Sequence, residues 1–249
     1  MKIIISPAKK MKVDTDIYPM TDLPVFLQET ALLMEQLQEM SYGALKELWN
    51  CNDRIAKLNH RRLKEMDLKR NLTPAILSYE GIQYQYMAPV VFTERALGYI
   101  QDHLRILSGF YGVLRPMDGV TPYRLEMQAK FGAAGVRNLY EFWDDKLYKE
   151  VTGDDRIIVN LASREYSKCV EKYLQPGDVF VTCEFGEIQK GKVIQKGTLA
   201  KMARGEMVRY MAEHAIGNLD GIKGFHGLGY RFREELSSKE TYVFVKEDI

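Results

Sequence analysis

Cysteine is scarce in this chain, with three residues (Cys51, Cys169, Cys183), and no two fall in a CxxC pair. The odd count and wide spacing exclude a disulfide framework and a thiolate zinc site. Histidine is almost as sparse: His60, His103, His214 and His226 are scattered and form no HExxH motif. Neither sign of charge dominates, since 35 basic and 34 acidic residues leave a net charge of +1. That balance excludes a globally basic nucleic-acid coat protein but allows a local basic stripe. Long apolar runs are missing too. The opening residues 1–10 contain only three consecutive strongly apolar side chains, Ile3 to Ile5, too few for a signal segment or a membrane span. The expectation is a cytoplasmic protein with no membrane partner. There are no repeats, low-complexity tracts or linkers. Residues 224–230 are glycine-rich but do not spell GxGxxG and no clear helix follows, so no dinucleotide site and no cofactor is expected.

A hydrophobic content of 46% and a charged content of 28% describe a soluble globular protein with ample core material. Residues 2–6 are a β-branched run stopped by Ser6-Pro7, which predicts a buried strand with Ala8-Lys9-Lys10 at its carboxyl end. Residues 24–66 predict three helices. The first starts at Pro24 with Leu27, Ala31, Met34 and Leu37 as its stripe. The second, 42–50, is capped by Ser41. The third runs from Asn52 or Asp53 to about Met66. Its Arg54, Lys57, Arg61 and Lys64 fall on one helical face, and Ile55, Leu63 and Met66 on the other. That basic face is either simply solvated or built for phosphates.

Residues 103–127 concentrate Arg105, Arg115 and Arg124 with Asp118, Glu126, two prolines and three glycines. A helix capped at Thr93 is expected to run into this stretch and end at Ser108-Gly109. The arginines either clamp internal carboxylates and carbonyls or face a partner. Further strands are expected at 75–79, at 122–127 (with Arg124 and Glu126 on one face), at 156–161 and at 241–246, with a hairpin from 178–185 and 192–195. Residues 81–87 read as a helical turn, and 138–150 as one helix with Leu139, Phe142, Trp143 and Leu147 in the core. Strand 156–161 feeds Ser163 and a helix N-terminus, a place that favours anions. Thr198 is read as the cap of a helix to about Ala215, with Lys201, Arg204 and Gly205 off its apolar face. Glycine inside a helix costs about 1 kcal/mol against alanine, so Gly205 predicts a close neighbour or ligand. The fold class is α/β (mixed α+β). It is one domain over 1–249, with a mixed central sheet, a helical insertion at 24–66 and a cationic cleft.

Ile5-Ser-Pro-Ala-Lys9, the run Arg105 to Asp118, Pro122 to Met127, Tyr140-Glu-Phe-Trp143, Val159-Asn-Leu-Ala-Ser163 with Glu165-Tyr166, and Lys201 with Ala203-Arg204-Gly205 together resemble the YaaA family of bacterial peroxide-stress proteins. The resemblance covers essentially the whole chain. It implies a cytosolic protein that limits oxidative damage and keeps unincorporated iron low. It also implies a compact mixed α/β fold with a positively charged cleft, and DNA binding through a helix-hairpin-helix-like element. Residues 42–66 supply two helices and a basic stripe without hairpin glycines. Gly109 and Gly112 supply glycines, but prolines follow them; 42–66 is the better candidate.

Three readings follow. Arg54, Lys57, Arg61 and Lys64 would bind double-stranded DNA without base specificity. Alternatively Lys9, Arg115, Arg124, Glu126, Asn160, Ser163, Lys201 and Arg204 would converge on one pocket for a small phosphate or carboxylate, in an enzyme or a binder. Lys9 or Lys201 could then serve as a nucleophile. For iron, Glu126, Asp118 and His103 are the nearest hard ligands, but no spacing joins them.

Overall fold

The computed structural model describes residues 1–14, 18–153 and 155–247. Its centre is the strand Lys2–Ile5, whose Ile3, Ile4 and Ile5 have no exposed surface. Successive side chains of a strand face opposite sides, so three buried isoleucines require cover on both faces of the sheet. Parallel strands flank it: Leu104–Ser108 on one side, with Ile5 opposite Ile106, and Ile157–Leu161 on the other, with Ile5 opposite Leu161. Val179–Gln189 and Thr241–Lys246 extend the parallel run beyond Ile157–Leu161. Gly112–Leu114 and Tyr230–Phe232 close the two edges antiparallel. The short Lys192–Ile194 returns on Val179–Gln189 through Lys190 and Gly191, both at positive φ. The result is one α/β domain around an eight-stranded mixed sheet.

Chain order fixes where this sheet opens. After Lys2–Ile5 the chain crosses to Leu104–Ser108; after Ile157–Leu161 it crosses the other way, to Val179–Gln189. The connections leaving these two adjacent strands therefore diverge, and a crevice forms at their carboxyl ends. Ligands of open parallel sheets sit at such switch points.

The helix Glu94–His103 packs on Lys2–Ile5 and Leu104–Ser108, and Lys146–Thr152 packs on Lys2–Ile5 and Gly112–Leu114. Gly197–Glu213 crosses Ile82–Met87 so closely that a Cβ on Gly205 would lie 2.1 Å from the Gln83 carbonyl oxygen. The close neighbour expected at Gly205 is therefore another helix backbone. No described helix is long and apolar enough to cross a membrane.

Several local expectations are corrected. The helix entering the central stretch stops at His103, and Leu104–Ser108 is a fully buried strand. Ile100, Leu104 and Leu107 continue a helical spacing, but a short apolar run fits either period, and pairing with Lys2–Ile5 decides it. Of residues 75–79 only Tyr79 is in a strand, paired with Met11. Ala75–Ser78 is a helical turn whose first N–H groups, on Ala75 and Ile76, donate to the Asp118 and Pro116 carbonyls. Residues 122–127 are extended but join no described ladder. They lie over the end of Leu104–Ser108, where a Cβ on Gly109 would come within 2.6 Å of the Leu125 carbonyl oxygen.

The helix expected over 138–150 breaks at Asp144, at positive φ, into Leu139–Trp143 and Lys146–Thr152; Leu139, Phe142, Trp143 and Leu147 are core. The first helix begins at Leu27 and buries Thr30, Leu33 and Leu37, a stripe rotated from the one expected, because the Thr30 hydroxyl donates to the Phe26 and Phe110 carbonyls. In the third helix, Asp53–Lys64, the buried side is Ala56, Asn59 and Leu63. Gly197–Glu213 starts before Thr198 and has no side-chain cap, and Gly205 faces inward, not outward.

Candidate functional site

At the switch point the hydroxyls that follow the two central strands meet. Ser6 Oγ lies 3.2 Å from Ser163 Oγ and accepts the Ser163 backbone N–H at 2.8 Å. Ser163 is the N-cap residue of Arg164–Glu171, yet its side chain does not cap that helix. The helix start therefore lacks a side-chain cap, and helix N-termini favour negative charge. Tyr84 donates its hydroxyl to the Ser6 carbonyl at 3.0 Å and fixes the turn that carries Lys9 and Lys10.

A cavity of about 410 Å³ opens at this point. Its floor is apolar and aromatic, with Pro7, Leu125, Tyr84, Tyr123 and Tyr166. Its cations are Lys9, Lys10, Arg124, Lys201 and Arg204, against the carboxylates Glu80, Glu126 and Glu165. Three of the cations are answered from within. Lys10 pairs with Glu80 at 3.1 Å, Lys9 with Glu126 at 2.7 Å, and Arg124 with Glu126 at 3.6 Å and with the Trp49 carbonyl at 3.4 Å. Lys201 is exposed and, like Arg204, has no ion pair among the described residues. The Arg204 Nε is buried and has no hydrogen-bond partner. Burial pushes the Arg204 guanidinium below its ordinary value, opposed by Cys183 and Glu184. An arginine stays charged regardless. Burial of an unpaired charge is unfavourable, and a bound anion would relieve it. Glu165 is pushed the other way. Burial raises its carboxyl, the Gln128 amide opposes this, and Glu126 adds to it.

Of the residues expected to converge, Lys9, Arg124, Glu126, Ser163, Lys201 and Arg204 line this one cavity. Arg115 and Asn160 do not. Leu114 is opposite Ile106, so the chain leaves Gly112–Leu114 toward the amino ends of the parallel strands, and Arg115 pairs there with Glu150 at 3.7 Å. Asn160 is spent inside the sheet: its Nδ2 donates to Thr182 Oγ1 at 3.1 Å and its Oδ1 accepts the Ala162 N–H at 2.9 Å. Arg105 turns back on its own chain, donating to the Gln101 and Leu104 carbonyls.

Sequence reasoning missed Gln83, Tyr84, Glu165 and Tyr166 as lining residues. For Glu165 and Tyr166 a signal existed, since both follow Ser163 on the first turn of a helix that already pointed to an anion site. Gln83 gave none. It is 7% exposed, and its Nε2 has no partner.

A second cavity of about 580 Å³ shares Lys9 and Glu126 with the first and reaches Ala44, Leu48, Trp49 and Asn50. It therefore runs toward the turn between the helices Tyr42–Leu48 and Asp53–Lys64, capped by Ser41 and Asn52 as expected. Arg54, Lys57, Arg61 and Lys64 are all exposed on the latter. Lys57 pairs with Asp53 at 2.8 Å and Lys64 donates to the Gln38 carbonyl at 2.9 Å. The candidate iron ligands are each held elsewhere: His103 Nδ1 by the Met1 carbonyl, Asp118 by the Arg115 N–H, and Glu126 by Lys9. The described residues gather no three of His, Cys, Asp and Glu in a metal-holding arrangement.

A family model described as "Peroxide stress protein YaaA" matches residues 1–236. The chain is similar to a "UPF0246 protein" of Agathobacter rectalis, at 58% identity over 99% of each chain. A relative of the same kind in Desulfitobacterium hafniense is 56% identical over 99% of this chain and 98% of its own. Another, in Pediococcus pentosaceus, is 54% identical over 100% of this chain and 99% of its own.

Proposed function

The chain belongs to the YaaA family of peroxide stress proteins, and from that premise we propose that it acts in the peroxide-stress response of the cytoplasm by holding a small phosphate- or carboxylate-bearing molecule in the switch-point cavity. The observation that carries this reading is Arg204, a half-buried arginine whose enclosed Nε has no hydrogen bond and which has no ion pair among the described residues. Lys201, two serine hydroxyls and an uncapped helix start surround the same space. A bound anion would answer the two cations and the helix start together. The lowering of unincorporated iron is then an indirect result of that binding, because His103, Asp118 and Glu126 are each occupied by other partners.

Calorimetric titration with pyrophosphate and with citrate tests it. Arg204→Met should weaken binding at least ~10-fold, the scale of a lost charged hydrogen bond. No binding of either anion, or equal binding by Arg204→Met, sinks the reading.

A second reading, DNA binding without base specificity, is favoured by Arg54 and Arg61, which are exposed and in no ion pair among the described residues. The larger cavity also extends the groove toward their helix pair. Duplex affinity should fall steeply with salt, and Arg54→Glu/Arg61→Glu should abolish it. Duplex binding that the double reversal leaves intact would mean that this face is merely solvated.

A further inference from the structure

We infer that Gln83 reads a planar heterocycle, so that the molecule held in the switch-point cavity is a nucleoside phosphate; this rests on the anion-pocket reading above. Gln83 is more than nine-tenths buried, lines the cavity, and leaves its side-chain Nε2 without a partner. Buried amides are nearly always hydrogen-bonded, and one that is not, in a residue that lines a cavity, has a donor to offer an entering group once the side chain turns toward it. An amide offers a donor beside an acceptor, the edge that glutamine uses bidentately on adenine. A bare phosphate or a simple carboxylate would use only the donor of that pair.

The surroundings fit a ring. Tyr84, Tyr123 and Tyr166, each under 10% exposed, and Leu125 supply flat apolar walls. The backbone that carries the amide is also fixed relative to the backbone that carries the cation. Arg204 and Gly205 are consecutive, and Gly205 presses on the Gln83 carbonyl with no room for a Cβ between them. The cavity therefore offers Arg204 and Lys201 to an anion and the Gln83 amide to a ring, on an aromatic floor. A volume of about 410 Å³ suits a ligand of nucleotide size.

Titration of the intact protein with AMP, GMP, CMP, UMP and ribose 5-phosphate is the test, on wild type, Gln83→Met and Gln83→Glu, with thermal melting as the check that each variant is folded. At least one nucleotide should bind wild type ~10-fold or more tighter than ribose 5-phosphate. Gln83→Met should lose that advantage and keep its affinity for ribose 5-phosphate. Gln83→Glu, which removes the donor but not the shape, should reorder the four bases. Ribose 5-phosphate binding as tightly as every nucleotide, or Gln83→Met weakening all ligands equally, overturns the assignment and leaves the anion pocket standing. Failure of every nucleotide and of ribose 5-phosphate, together with pyrophosphate and citrate, overturns both.

Discussion

Replacing Gly205 by alanine asks whether two helix backbones really touch beside the pocket. The added Cβ would lie 2.1 Å from the Gln83 carbonyl oxygen and 3.0 Å from both the Gln83 carbonyl carbon and the Met87 nitrogen. All three are backbone atoms, so no side chain can swing aside. Ordinary contact is ~3.5 Å, so Ile82–Met87 and Gly197–Glu213 must part by more than ~1 Å. Overpacking against rigid neighbours costs ~3 kcal/mol, and alanine's better helix propensity offsets ~1 kcal/mol of it. The net loss of ~2 kcal/mol should lower Tm by ~4–8 °C for a chain of this size. Gly98 is the control, since it also lies inside a helix and a methyl added there would have nothing within 4 Å. Gly98→Ala should raise Tm by ~1–4 °C. Scanning calorimetry on the two variants gives opposite signs if the packing argument holds. A Gly205→Ala protein as stable as wild type would refute it, and with it the rigid spacing of Gln83 from Arg204.

Asp118 is 3% exposed, and burial, opposed chiefly by the Arg115 N–H, pushes its carboxyl up to about 7. A carboxyl raised on folding holds its proton longer in the folded state, so stability is fully present below about pH 4 and is lost as pH rises toward 7. Asp118→Asn should flatten that stretch of the urea stability profile and leave the protein ~2–4 kcal/mol more stable than wild type at pH 8; an unchanged slope contradicts the assignment. The thiols make a separate prediction. Burial raises Cys169 and Cys183 to about 12, whereas Cys51 is half-buried. Since the thiolate is the reactive form, native protein at pH 8 should react with an aromatic disulfide reagent at Cys51 alone, the other two following only in denaturant. Rapid labelling of a second cysteine in the native state would show that one of these buried sites opens. Lys9→Ala removes a partner that is itself 65% exposed, so stability should change by less than ~1 kcal/mol. Its effect should fall on anion affinity, measured by titration, because Glu126 would then face the cavity with only Arg124 to balance it.

Much of the sheet could be read directly. Residues 2–6 and 156–161 are β-branched runs with clear stops, and their order around a helical insertion implies parallel pairing. The strand Leu104–Ser108 could not be read that way. Its leucines carry on the spacing of a well-capped helix, and only its two neighbours in the sheet reveal the other period. Arg115 and Asn160 fail for a related reason. Charge and amide groups near the right motifs looked like site residues, yet strand direction sends Arg115 to the opposite edge and strand pairing consumes Asn160.

Gln83 shows where single-sequence reasoning stops. Nothing in Gly81-Ile-Gln-Tyr distinguishes its glutamine from an exposed one on a helical turn. What gives it weight is a relation between distant residues: Gly205, which lets one helix press against the backbone of Gln83, and Arg204, which lines the same cavity. The sequence did carry half of this relation. A glycine that costs helix stability at position 205 had to answer to something close by. The identity of that neighbour, and the unpartnered Nε2 that comes with it, exist only once the chain is folded. A site assembled in this way is best tested by changing the spacing as well as the groups. Gly205→Ala should therefore erode discrimination among nucleotides more than affinity for ribose 5-phosphate, since the helix that carries the amide moves away from the one that carries both cations.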